Sequence, residues 1–155
     1  MARSGLFLAA VATVALVAAS PVCAGGQIAP RCAAGAVQTW LSTQGTAVQS
    51  VTFLMLRNRR ATPCLFSTVV RFEVERDGRR ATISGNPLRV QVHAFLRARA
   101  TGYAQPDVWW ANWCGSHSGL EMTARLGAGT IRSRFRSLPL CLQRDRPSTL
   151  SIPRI

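Results

Sequence analysis

Val69-Val70-Arg71-Phe72-Glu73-Val74-Glu75-Arg76-Asp77-Gly78-Arg79-Arg80 is the stretch whose period decides the fold. Val70, Phe72 and Val74 fall on one side of an extended chain, and Arg71, Glu73 and Glu75 on the other. A period of two with one polar face marks a half-buried antiparallel strand, because successive side chains point to opposite faces. Asp77-Gly78 then offers two residues that accept the backbone of a tight hairpin, returning the chain through Arg79–Ile83.

The same alternation runs outward in both directions. Upstream, a strand is expected over Ala36–Ser42, with Val37, Thr39 and Leu41 opposite Trp40. Gln44-Gly45 turns the chain into Gln49–Arg57, where Val51, Phe53 and Met55 alternate with Thr52 and Leu54. A polar stretch, Asn58 to Pro63, leads to Cys64. Downstream, Leu88–Leu96 repeats the pattern through Leu88, Val90, Val92 and Ala94, followed by Val108–Trp113 and Leu120–Leu126. Gly127 to Gly129 turns again, and Ile131–Arg136 and Thr149–Ile152 are the weakest strands. None of these segments has a helical period. The expectation is an all-β fold of two antiparallel sheets packed as a β-sandwich, with a closed barrel as the alternative.

The N-terminus reads differently. Arg3 precedes a nearly continuous apolar run, Leu6 to Ala19, which Ser20-Pro21 breaks. Val22-Cys23-Ala24 places small residues before a cut ahead of Gly25, so 1–24 reads as a cleaved signal peptide and 25–31 as a flexible lead-in to a domain over 32–155. The run is short for a membrane span. Retention as an anchor and lipidation at Cys23 are the weaker alternatives, since Val22 suits a lipid-attachment motif poorly. Removal of 1–24 leaves four cysteines, Cys32, Cys64, Cys114 and Cys141, an even number suited to disulfides in an oxidising compartment.

Four cysteines allow three pairings. In an antiparallel hairpin the start of one strand lies beside the end of the next. Cys32 precedes the first strand and Cys64 follows the second; Cys114 and Cys141 flank the Leu120 and Ile131 strands in the same way. The expected bonds are Cys32–Cys64 and Cys114–Cys141, each stabilising by about 3–4 kcal/mol in the chain-entropy picture. A zinc site would need the close C-x-x-C pairs that this chain lacks.

All 19 basic residues are arginine, against six carboxylates, for a net charge of +13. The complete absence of lysine reads as a coding bias and not as a binding site. The field still attracts anionic polymers and surfaces. Clusters at Arg57/Arg59/Arg60, Arg76/Arg79/Arg80, Arg97/Arg99 and Arg132/Arg134/Arg136 read first as solvated edges that oppose aggregation, with a polyanion-binding surface as the second reading. For a secreted chain, cell-wall polymer or lipid headgroups are the expected partners of such a surface, and no nucleic acid is expected.

Val108-Trp109-Trp110-Ala111-Asn112-Trp113-Cys114-Gly115, the ending Pro139-Leu140-Cys141 with Pro147-Ser148-Thr149-Leu150-Ser151-Ile152, and the Leu56-Arg57-Asn58 to Pro63-Cys64 step carry a resemblance. Together they resemble a group of uncharacterised secreted or lipid-anchored bacterial domains with a W-x-N-W-C-like segment and a P-S-T-L-like terminal strand. The resemblance implies an immunoglobulin-like sandwich in the cell envelope and carries over no catalytic residues.

Candidate chemistry is sparse. Gly115-Ser116-His117-Ser118-Gly119 superficially resembles a nucleophile elbow, but histidine takes the central place that serine needs. A small hydrolase would require His117 to converge with a carboxylate in a pocket. His93 falls on the polar face of its strand, and no His/Asp/Glu cluster has metal-ligand spacing, so no cofactor is expected. Glu73 and Glu75 suit a charge ladder better than a glycosidase pair. On the strand ending at Trp113, Val108, Trp110 and Asn112 face one way and Trp109, Ala111 and Trp113 the other, with Trp113 expected to pack on a disulfide. The expected contact surface is Trp109 and Trp110 with Arg132, Arg134 and Arg136. The expected role is non-enzymatic: binding or support in the envelope, with an envelope protein, a glycan or an anionic polymer as partner and peripheral membrane contact as an option. A carbohydrate- or polyanion-binding module is set apart by aromatics and arginines sharing one face.

Overall fold

The computed structural model describes residues 29–46, 48–127 and 129–153; the expected signal 1–24, with Arg3 and Cys23, and residues 25–28 of the lead-in lie outside the described residues. The strands are β1 (Val37–Gly45), β2 (Gln49–Asn58), β3 (Cys64–Arg76), β4 (Arg79–Arg80), β5 (Leu88–Leu96), β6 (Thr101–Ala111), β7 (Leu120–Leu126), β8 (Gly129–Arg134) and β9 (Thr149–Ser151). Every pair of strands is antiparallel, and the described residues contain no helix. None, therefore, is long and apolar enough to cross a membrane.

The strands lie in the order β1-β2-β6-β5-β3-β7-β8, with β4 on β3 and β9 on β6. One joint is thin: β5 meets β6 through the single pair His93↔Gln105. At the other margin β1 and β8 approach each other, and the Thr43 hydroxyl donates to the Arg134 carbonyl at 3.3 Å. The sheet therefore curls into a barrel-like body around one core. Leu41, Leu54, Leu56, Ala104, Val108, Trp110 and Leu150 fill it from β1, β2, β6 and β9; Val70, Phe72, Val74, Val90, Val92, Met122 and Ala124 meet them from β3, β5 and β7.

The deciding stretch behaves as its period requires. Val70, Phe72 and Val74 are buried in the core, and Asp77 (φ 49°) and Gly78 (φ 75°) form the left-handed pair of a tight hairpin. The return strand, however, is only Arg79–Arg80; the chain then leaves the ladder, and the Asn86 side chain bonds the backbone of Val74 and Ala81 in its place. Strand β3 starts at Cys64, five residues before Val69, and β6 starts at Thr101, seven before Val108. Both early halves have exposed outward residues, which blurred the apolar signal. On β2 the core face is Leu54 and Leu56, while Phe53 and Met55 point outward past an irregularity in the β2–β6 register.

The two disulfides join Cys32 to Cys64 and Cys114 to Cys141, the pairing that the hairpin argument gives. They sit at opposite ends of the strands and suit an oxidising compartment.

Candidate functional site

Trp110 is not a contact residue. It is 0 % exposed, the largest fully buried side chain, and its indole N–H donates to the Ser148 hydroxyl at 2.7 Å. Its ring centroid lies 4.7 Å from Phe135 and 5.3 Å from Trp113. Simple alternation would place Trp113 on the opposite face from Trp110. Strand β6 stops at Ala111, and Asn112 takes a positive φ of 55°, which breaks the alternation and brings Trp113 against Trp110. Trp109 is half-buried on the outer face. The rule that assigned faces failed at one backbone residue.

Asn112 also orders the two loops that wall a groove next to it. Its side-chain amide donates to the Gln143 and Arg146 carbonyls, both at 2.8 Å, and its carbonyl accepts from the amides of Leu142 (3.0 Å) and Gln143 (2.9 Å). The β8–β9 loop is thus fixed over the β6–β7 loop, and Cys114–Cys141 ties the two covalently. Between them lies a groove of about 1060 Å3 lined by Trp113, Gly115, His117, Leu120, Phe135, Arg136, Ser137, Leu138, Pro139, Leu140, Arg144 and the disulfide. Trp113 is held rigidly: its N–H donates to the Ser116 carbonyl (3.0 Å), and the Arg76 guanidinium stacks 5.1 Å over its ring while donating to the same carbonyl. No carboxylate lines the groove, and neither Arg136 nor Arg144 forms an ion pair among the described residues.

The three arginines expected to act together are divided. Strand β8 ends at Arg134, so Arg136 turns into the groove while Arg132 and Arg134 stay on the outer face of the sheet. There Arg134 pairs with Glu121 (3.5 Å) and Arg132 lies 3.9 Å from Glu75. They belong to a charge ladder centred on two buried carboxylates. Glu73 meets Arg80, Arg71 (3.5 Å) and Arg125 (3.6 Å), and Glu75 meets Arg125 at 2.9 Å. Burial pushes the Glu73 carboxyl up, but the Arg80 hydrogen bond and the charges of Arg71, Arg80 and Arg125 more than reverse this and hold it below the usual value. The ladder ties β3 to β4, β7 and β8 across the outer face of the sheet.

A smaller cleft of about 480 Å3 does bring His117 near Glu75, Asp77, Glu121 and Arg134. The adjacent hydroxyls of Ser116 and Ser118 bond each other at 3.0 Å, and Glu75 and Glu121 are engaged by arginine. His93 is exposed at the β5–β6 joint. Among the described residues no group of three His, Cys, Asp or Glu side chains is placed to hold a metal ion. The groove residues that alternation could not reveal are Phe135 and Arg144, and with them Asn112, which lies outside the lining but orders its loops. The only trace of them in the sequence is the polar Asn112 between two tryptophans.

No family model matches this chain, and no curated protein or solved structure matches it either.

Proposed function

We propose that the chain is a secreted, non-enzymatic binding protein of the cell envelope, whose disulfide-framed groove takes an anionic ligand such as an acidic glycan or another anionic polymer. The observation that carries this reading is the groove lining: Arg136, Arg144 and His117 around an aromatic wall of Trp113 and Phe135, with no carboxylate among them. Unpaired guanidinium groups in a concave site are ready for bidentate bonds to phosphate, sulfate or carboxylate. Phe135, half-buried at the groove, and exposed Leu140 add apolar surface for a sugar ring or acyl segment beside the arginines.

The fold reading goes with it. The strand order divides into β1-β2-β6 and β5-β3-β7-β8 at the single-pair joint, an arrangement that supports an immunoglobulin-like sandwich and, with it, the resemblance to the secreted bacterial domains. In such sandwiches the loops at one end form the contact site, and here the groove lies among end loops. Two disulfides support a location outside the reducing cytoplasm.

Retention on an anionic polymer matrix tests the reading. Binding should weaken steeply with salt between about 50 and 500 mM. Arg136→Ala and Arg144→Ala should each weaken it by about tenfold, with the melting temperature unchanged because both side chains are exposed. Retention indifferent to salt, or to both substitutions, would overturn it.

A further inference from the structure

We propose that the end of the body opposite the groove is a docking face for an anionic lipid bilayer. Two independent features meet there. The first is a crown of five exposed arginines: Arg57 at the end of β2, Arg59 and Arg60 in the β2–β3 loop, and Arg97 and Arg99 in the β5–β6 loop. Asn58, fully buried, locks these loops together. Its amide donates to the carbonyls of Thr62 (2.8 Å) and Arg97 (3.2 Å), its side-chain oxygen accepts from the Arg60 amide (2.9 Å), and the Arg99 amide donates to the Arg60 carbonyl (2.9 Å). None of the five forms an ion pair among the described residues, and the sequence holds no carboxylate from 29 to 72 or from 88 to 106.

The second feature is an apolar row on the outer sheet face, one step up the strands from the crown. Trp40 pairs with Met55 and Met55 with Tyr103; Phe95 pairs with Leu65. The row thus runs over β1, β2 and β6 on one side and β5 and β3 on the other, two halves that meet at the single His93↔Gln105 pair. Phe95 is 57 % and Tyr103 54 % exposed, and Phe53 packs edge-on against Tyr103 at 5.6 Å. Aromatic side chains beside a cationic rim are the composition of a membrane–water interface, where rings enter the headgroup layer and arginines meet anionic lipids. The clefts at this end are small, about 290 Å3 among Arg57, Arg59 and Arg99 and about 380 Å3 beside Leu65, and neither takes in Phe95 or Tyr103. A bilayer can meet both rings and charges at once. Docked this way, the protein holds its groove away from the membrane.

Co-sedimentation of the full chain with phosphatidylglycerol/phosphatidylcholine vesicles, and with phosphatidylcholine alone, tests this. The expected result is binding only to the anionic vesicles, lost at about 0.5 M salt. Replacing the five crown arginines by glutamine should weaken it by about three orders of magnitude, from about fivefold per arginine. Phe95→Ser with Tyr103→Ser should weaken it by about tenfold, with unchanged melting because both rings are exposed. Arg97→Gln with Arg99→Gln repeats the charge test if the fivefold variant misfolds. Arg136→Ala/Arg144→Ala should bind vesicles like the native chain, which separates this face from the groove. Absence of anionic-vesicle binding would overturn the proposal. So would native binding by the Phe95/Tyr103 variant, which would mark the crown as a surface for soluble polyanions or proteins.

Discussion

Trp109 and Trp110 are consecutive residues of one strand with opposite environments, and they separate in their energetics. Trp110 has no exposed surface and carries the contacts to Trp113 and Phe135, so Trp110→Ala should cost about 3–5 kcal/mol. Trp109 is half-buried on the outer face, and Trp109→Ala should cost about 1–2 kcal/mol. Urea unfolding of the two variants measures the difference; equal losses would contradict this placement. Alternation showed that the two rings face opposite ways. It could not say which way was inward, because the continuation through Asn112 to Trp113 depends on a left-handed residue that no periodicity reports. Phe95 and Tyr103 carried no signal of their own, since an isolated exposed aromatic on a strand looks like any other.

At the scale of elements, β3 was the most legible strand and also the most deceptive. Its inward residues could be read from their period, and its outward Glu73 and Glu75 suited a charge ladder, but nothing in β3 told how deep that ladder lies. The two carboxylates are buried, because β4, β7 and β8 bring Arg80, Arg125 and Arg132 over them, a consequence of strand order and not of β3. The acid limb of stability follows. Glu73 has a folded pKa below its ordinary 4.5, so its stabilising contribution is complete above that value and is lost as pH falls through the folded one. Glu73→Gln should lower stability by about 1–2 kcal/mol near neutral pH, a figure reduced for the partly exposed arginine partners. The variant should also lose stability less steeply than the native chain below pH 4.5. Thermal melts across the acid range test both statements, and parallel curves for the two proteins would contradict them. Asp107 has the reverse sign. Burial raises its carboxyl from 3.8, so its penalty is absent below that value and grows as pH rises through the folded one.

Across the whole molecule, charge and cysteine are distributed by end. Cys32–Cys64 ties the lead-in to the start of β3 at the arginine crown, and Cys114–Cys141 frames the groove at the other end. The disulfide pairing was legible because strand neighbourhood follows from hairpins, a local property. The two ends were not, because each is assembled from loops far apart in the chain: 97–100 with 58–62, and 113–117 with 135–144. Arginine clusters read along the sequence therefore divided differently in space, with Arg57, Arg59 and Arg60 joining Arg97 and Arg99 while Arg136 parted from Arg132 and Arg134. The most direct measurement of the central claim is an amide chemical-shift titration with short polyphosphate. The groove account predicts saturable shifts concentrated at 113–120 and 135–144 that disappear in Arg136→Ala/Arg144→Ala. Shifts spread over all arginine-rich surfaces, or confined to the Arg57–Arg60 and Arg97–Arg99 loops, would contradict it.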